Sequence, residues 1–99
     1  MLLRERETNE GLLVSVCDPD CIGETYENGR ASITVEEHFY GGPEAVEATR
    51  EEVVAGLKRA QVANIVGTEA VGVAVEAGLV DEDAVLEFDE TRHAQLLWL

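Results

Sequence analysis

The chain has 99 residues, 45% of them hydrophobic and 5% aromatic, and sets 21 acidic side chains against 7 basic ones for a formal net charge of −14. This length makes one domain, residues 1–99, able to bury roughly 65% of its unfolded surface around a single core without staples, and the aliphatic content excludes a disordered chain. The charge disfavours polyanions and anionic membranes as partners, because the basic residues are scattered and form no stripe.

A dense anionic surface stays soluble in high salt, so the acidity reads first as adaptation to salt or heat. A surface made to meet a basic partner is the second reading. No stretch approaches the roughly 20 apolar residues of a membrane span, and MLLRERET at the start has no apolar run long enough for a secretion signal. A cytoplasmic protein is therefore expected.

In chain order, MLLRERET (1–8) reads as a short charged edge strand and GLLVSVCD (11–18) as a stronger one, with TNEG (8–11) as a hairpin turn between them. PDCIGETYENG (19–29) reads as irregular, with one helical turn opened by Pro19 and a turn at Asn28-Gly29. RASITVEEHF (30–39) alternates, Ala31, Ile33 and Val35 facing one way and Ser32, Thr34 and Glu36 the other, as in a half-buried strand.

At EEHFYGGPEA (36–45) alternation gives way to helical spacing. Gly42 suits an N-cap and Pro43 the first helical position, Glu44 and Glu47 lie near the positive end of the dipole, and Val46, Val53, Val54, Leu57 and Ala60 make an apolar stripe. The spacing predicts a helix over 43–60, closed by Lys58 and Arg59. QVANIVG (61–67) then reads as an apolar connection, and Thr68 as the cap of a second helix, EAVGVAVEA, apolar on nearly all sides. Gly56 and Gly72 would let the two helices approach, and Gly78 followed by Leu79 ends the second one. VLEFDE and HAQLLWL form a last hairpin around Asp89–Arg92. The expected fold is α+β, a small, mostly antiparallel sheet packed on two helices in the order βββααββ.

VCD (16–18), FYGG (39–42), ANIVG (63–67), EAGLVDED (76–83) and HAQ (93–95) follow one another in an order that resembles the archaeal domain of unknown function 424 family over essentially the full length. The resemblance implies a small archaeal cytosolic protein with an α+β fold, and it brings no activity. Its typical segments fall here on Phe39, Tyr40, Gly41 and Gly42, on Ala63, Asn64, Val66 and Gly67, and on His93, Ala94 and Gln95. Two positions depart from the pattern: Arg92 stands where a proline is expected, and Cys21 where an aliphatic residue is expected.

The candidate ligand-binding residues are His38, Tyr40, Gly41 and Gly42 at the corner, Asn64 and Gly67 in ANIVG, and His93 and Gln95 in HAQ. At HFYGG, paired glycines could let backbone N–H groups approach an anion. Equally, they could do no more than turn the chain while Phe39 and Tyr40 fill the core, and the neighbouring Glu36, Glu37, Glu44 and Glu47 oppose a phosphate. Cys17 and Cys21 with His38 and His93 form a Cys2His2 inventory, but Cys17 lies on an alternating strand, as a buried hydrophobe would. NIVGTEAVGVAVEAG (64–78) has the outline of the second half of a helix-hairpin-helix, a glycine before a helix start that could hold a phosphate, although Glu69 stands where it would repel. No Ser/His/Asp or Cys/His arrangement for nucleophilic catalysis can be read.

The expected function is thus a non-enzymatic acidic interaction module that docks to a protein or ribonucleoprotein partner. No catalytic residue, metal or cofactor is expected, and neither is direct contact with nucleic acid or membrane. The alternative is a small-ligand or RNA-end binder, an enzyme or not, built on a pocket of His38, Tyr40, Asn64 and His93. A homodimer could form through MLLRERET or HAQLLWL, which would also cover Trp98.

Overall fold

Strands β1 (Leu2–Thr8) and β2 (Gly11–Cys17) form the hairpin that the TNEG turn implies, with Thr8 opposite Gly11. In the computed structural model of the chain, residues 1–97 are described. The expectation for Trp98 lies outside them. After a 3-10 turn at Pro19–Cys21, the segment read as irregular holds a strand, β3 (Thr25–Glu27), which pairs antiparallel with β4 (Ser32–Thr34). The Asn28 side chain makes this turn by accepting the N–H groups of Arg30 and Ala31 at 3.0 and 2.8 Å. These two strands form a small sheet of their own.

A one-turn helix, α1 (Glu37–Tyr40), and a two-residue strand, β5 (Val46–Glu47), precede α2 (Arg50–Arg59). The long helix expected from residue 43 therefore begins seven positions later. Its start is fixed by a reciprocal capping box: Glu52 N–H donates to Thr49 Oγ1 at 3.2 Å, and Thr49 N–H donates to Glu52 Oε1 at 2.8 Å. Two donors satisfied together outweigh the glycine-proline signal at 42–43. Val46, assigned to the helix stripe, lies in β5 and is 55% exposed.

The largest departure is QVANIVG, which is no connection. It holds the central strand β6 (Val62–Val66), parallel to β2 on one side and antiparallel to β8 (Arg92–Leu97) on the other. Helix α3 (Thr68–Glu76) follows it, and after a 3-10 turn at Glu82–Ala84 the two-residue β7 (Leu86–Glu87) pairs with β8. The six-stranded sheet has the order β5-β1-β2-β6-β8-β7. It is mostly antiparallel with one parallel pair, so the α+β class holds, with three helices in place of two and a different order of elements.

Helices α2 and α3 cover one face. Val14, Val16, Ala63, Ile65, Ala94 and Leu96 of the strands there meet Val53, Leu57, Ala70, Val71 and Ala74. A smaller core on the opposite face joins Cys17 and Val66 to Cys21, Val35 and Tyr40. Gly56 brings α2 down on the sheet: a Cβ there would lie 3.3 Å from Leu3 Cδ1, whereas one on Gly72 would meet nothing, so the expected glycine contact between helices is not made. The end of α3 is as expected, with Leu79 N–H donating to Ala74 O and Gly78 N–H to Val75 O, both at 3.0 Å.

The start of α3 is capped from a distance. Both oxygens of Asp18, at the end of β2, accept N–H groups of the first turn, from Glu69 and Ala70, at 2.9 Å each. Gly67 makes room for this: its φ is +120°, and a Cβ would lie 2.3 Å from Asp18 Cγ. Asp18→Ala should lower the unfolding free energy by about 1–2 kcal/mol, as for loss of a strong N-cap. Gly67→Ala should cost more, because it adds left-handed strain to the clash. Urea denaturation of the two variants checks the ranking, and a Gly67→Ala midpoint equal to the wild type contradicts it.

Candidate functional site

Side chains alternate across the four long strands, so their register sorts them into rows. On the face away from α2 and α3, the row Leu2–Cys17–Val66–His93–Leu86 runs from β1 to β7. Beside it runs a polar row, Arg4–Ser15–Asn64–Gln95, and beyond that Arg6–Leu13–Val62–Leu97. At ordinary strand spacing of about 4.8 Å each row is about 14 Å long from β1 to β8. The first row lies under α1 and the β3–β4 hairpin. The outer row has no such cover, and Leu97 is 62% exposed.

Two arginines hold α1 over this face. Arg4 donates through Nη1 to the carbonyls of His38 and Gly41 and pairs through Nη2 with Glu44 at 3.1 Å, while Arg6 Nη2 donates to the carbonyls of His38 and Phe39 at 3.4 and 3.3 Å. The Arg6 guanidinium also stands 5.3 Å from the centre of the Phe39 ring. These contacts put positive charge where a helix end leaves its carbonyls unpaired. They also use both cations structurally, which weakens them as free anion binders.

The HFYGG residues are largely architecture. Tyr40 is buried, edge-on to Phe39 with ring centres 5.0 Å apart, and its phenol is pushed up to about 12 by burial and, secondarily, by the Cys17 and Cys21 thiols. Gly41 is buried beneath Arg4, where a Cβ would press to 3.2 Å on the Glu37 carbonyl. Gly42 has φ +85° and accepts the Ala45 N–H in a turn. The His38 side chain is 78% exposed and points to Glu36, its Nε2 at 3.8 Å from the carboxylate.

The ANIVG and HAQ segments do meet. Asn64 and Gln95 lie opposite each other, and Gln95 Nε2 donates to Asn64 Oδ1 at 2.9 Å. That leaves the Asn64 amide hydrogens and Gln95 Oε1 for an outside partner. His93 shares their face one pair further along, half-buried opposite Val66, and burial lowers its pKa from the ordinary 6.5. The structure thus groups Asn64, Gln95 and His93 and places Tyr40 in the smaller core between α1 and the Cys17–Val66 row. His38 stands apart on α1, which packs over β1 and β2.

Two other candidate sites are altered by the geometry. Cys17 and Cys21 are buried free thiols, and Cys17 is pushed up to about 12 by burial, reinforced by Cys21 and Asp18, which holds it as a thiol rather than a metal-binding thiolate. The start of α3, read as open to a phosphate, is filled by the Asp18 carboxylate. Arg4, Arg6 and Ser15 went unsuspected in the sequence, although the alternation of RER had already placed both arginines on one side of β1. Asp18 closes the VCD segment of the resemblance, but its capping role could not be read there, since its partner is 51 residues away.

A family model described as "Protein of unknown function (DUF424)" matches residues 5–99. A solved structure of an uncharacterized conserved protein from Methanopyrus kandleri superposes with a TM-score of 0.67 at 24% identity, covering 99% of this chain and 93% of that one, a likeness of fold. No protein of curated function matches.

Burial keeps His93 neutral in the fold, so the unfolded chain takes up its proton first as pH falls below 6.5 and stability is lost down through the folded pKa. His93→Gln should therefore lose less stability than the wild type between about pH 7 and about pH 5, and equal losses contradict this. Both cysteines should resist a thiol reagent in the native protein at about pH 8 and react on unfolding. Rapid native labelling of Cys17 contradicts its burial.

Proposed function

The chain belongs to the DUF424 family of proteins of unknown function, and from its geometry we propose that it is a non-enzymatic docking module that meets a protein or ribonucleoprotein partner through protein contacts on its bare sheet face. One observation carries this reading. In a chain with 21 acidic residues, the rows on that face contain no carboxylate from β1, β2, β6 or β8; the acids of β1, Glu5 and Glu7, alternate onto the other side.

The patch joins apolar Leu13, Val62 and Leu97 to the Asn64–Gln95 amide pair, with Arg6 and Phe39 at its border. Apolar area with a few polar groups and little charge is the make-up of an interface centre. Catalysis has less support. The thiols are buried, and no cluster of metal-ligating side chains occurs among the described residues. A pocket of His38, Tyr40, Asn64 and His93 would need Tyr40, whose ring is buried in the smaller core.

A photo-crosslinking residue at Gln95 should trap a discrete protein in an extract of an organism carrying this family, and the same residue at Glu69, exposed on α3, should not. A Leu97→Asp substitution should reduce the product by about tenfold, the effect of burying an unpaired charge in an interface. Equal labelling from both positions, or labelling of RNA alone, contradicts the proposal.

A further inference from the structure

The sheet has a second uncommitted surface, the outer edge of β1. Strand β5 pairs only with Leu2 and Leu3, leaving Arg4 to Thr8 without a neighbour on that side. Met1 O accepts the Ala48 N–H at 2.7 Å on the β5 side, so alternation turns the backbone N–H and C=O groups of Glu5 and Glu7 outward as well. Among the described residues, no strand or loop pairs with them there. A cleft of about 450 Å3 runs along this edge between β1, β5 and α2. Leu3, Val46 and Ala55 supply its apolar lining, and Glu5, Glu44 and Glu52 outnumber the single cation Arg59, which pairs with Glu5.

We propose that this edge takes up an extended segment of another protein as an added strand, with basic side chains on the side that faces α2. The ladder supplies sequence-independent bonds and the cleft supplies the choice of side chain. Directly opposite like charges destabilise a strand pair, and opposite charges support it. Lysine or arginine at alternate positions would lie across from Glu5 and Glu7 and within the field of Glu44 and Glu52.

The same rule turns away a second copy of this chain. A twin β1 added antiparallel about a two-fold axis keeps both faces of the sheet, so residues of like parity stand opposite one another. In the well-overlapped registers Glu5 then meets Glu5 or Glu7 of the twin, and Arg4 or Arg6 meets arginine. Alternating charge thus protects the edge from self-association and leaves it open to a strand of complementary pattern. This surface is separate from the bare sheet face, and either can fail without the other.

The test uses a labelled peptide of alternating lysine and threonine, a version with glutamate for lysine, and a version N-methylated on every second amide. Fluorescence anisotropy reads binding to the full chain, and hydrogen exchange followed by NMR reads the Glu5 and Glu7 amides. The lysine peptide should bind and protect both amides, and the glutamate and N-methylated versions should bind at least about tenfold more weakly. A Glu5→Lys/Glu7→Lys variant, both positions being exposed, should reverse the preference between lysine and glutamate. If that variant does not fold, the N-methylated comparison on the wild type decides. Equal binding of the parent and N-methylated peptides would reveal only diffuse attraction to an acidic protein and overturn the proposal. So would absence of amide protection, or protection that appears on concentrating the protein without peptide.

Discussion

Strand β6 is the element on which the architecture depends, because it lies in the middle of the sheet and carries apolar residues on both faces. Ala63 and Ile65 are fully buried under the helices, and Val66 is fully buried on the other side. A strand of this kind requires cover on both faces. Helices α2 and α3 provide it along the whole of one face. On the other, α1 and the β3–β4 hairpin reach only the end of β6 at Val66, and the cover stops at the Asn64 row. The uncovered part is therefore a consequence of how little chain is left to spread over the second face.

Charge follows the same division. The helix-covered side and the β1 edge carry Glu5, Glu7, Glu52 and Glu69, whereas the rows beyond the α1 cover present the exposed Gln95 and Leu97 beside the half-buried Leu13, Val62 and Asn64. Two of the seven cations are spent holding α1 in place, and Arg92 is spent between Glu82 and Glu87. An acidic chain with a nearly neutral sheet face repels polyanions at long range, while at contact it offers a surface without a desolvation penalty for carboxylates. That combination is the physical ground of the proposed docking to a protein partner.

Much of this was legible from local chemistry. The first hairpin, the Asn28-Gly29 turn and the Gly78 ending of α3 each depend on residues within a few positions of one another. The family resemblance singled out ANIVG and HAQ as segments, and their pairing as neighbouring strands came only with the fold. What could not be read is non-local. A strand buried on both faces loses its alternation, so QVANIVG offered no period by which to know it. Gly42-Pro43 gave a helix-start signal that the Thr49–Glu52 box overrode, and the fixing of α1 by Arg4 and Arg6 joins residues more than 30 positions apart. The Tyr40 hydroxyl makes it a pocket candidate from sequence alone; its burial depends on the 3-10 turn at Cys21 and on Val35, which pack with it in the smaller core.

The most direct measurement of the central claim is a map of the surface potential. Relaxation enhancement of individual protons by a cationic and an anionic paramagnetic co-solute reports the near-surface field at each residue. Protons of Leu13, Val62, Asn64 and Gln95 should show the smallest preference for the cationic probe and those of Glu5, Glu7 and α2 the largest. A uniform preference for the cationic probe over both faces of the sheet would contradict it.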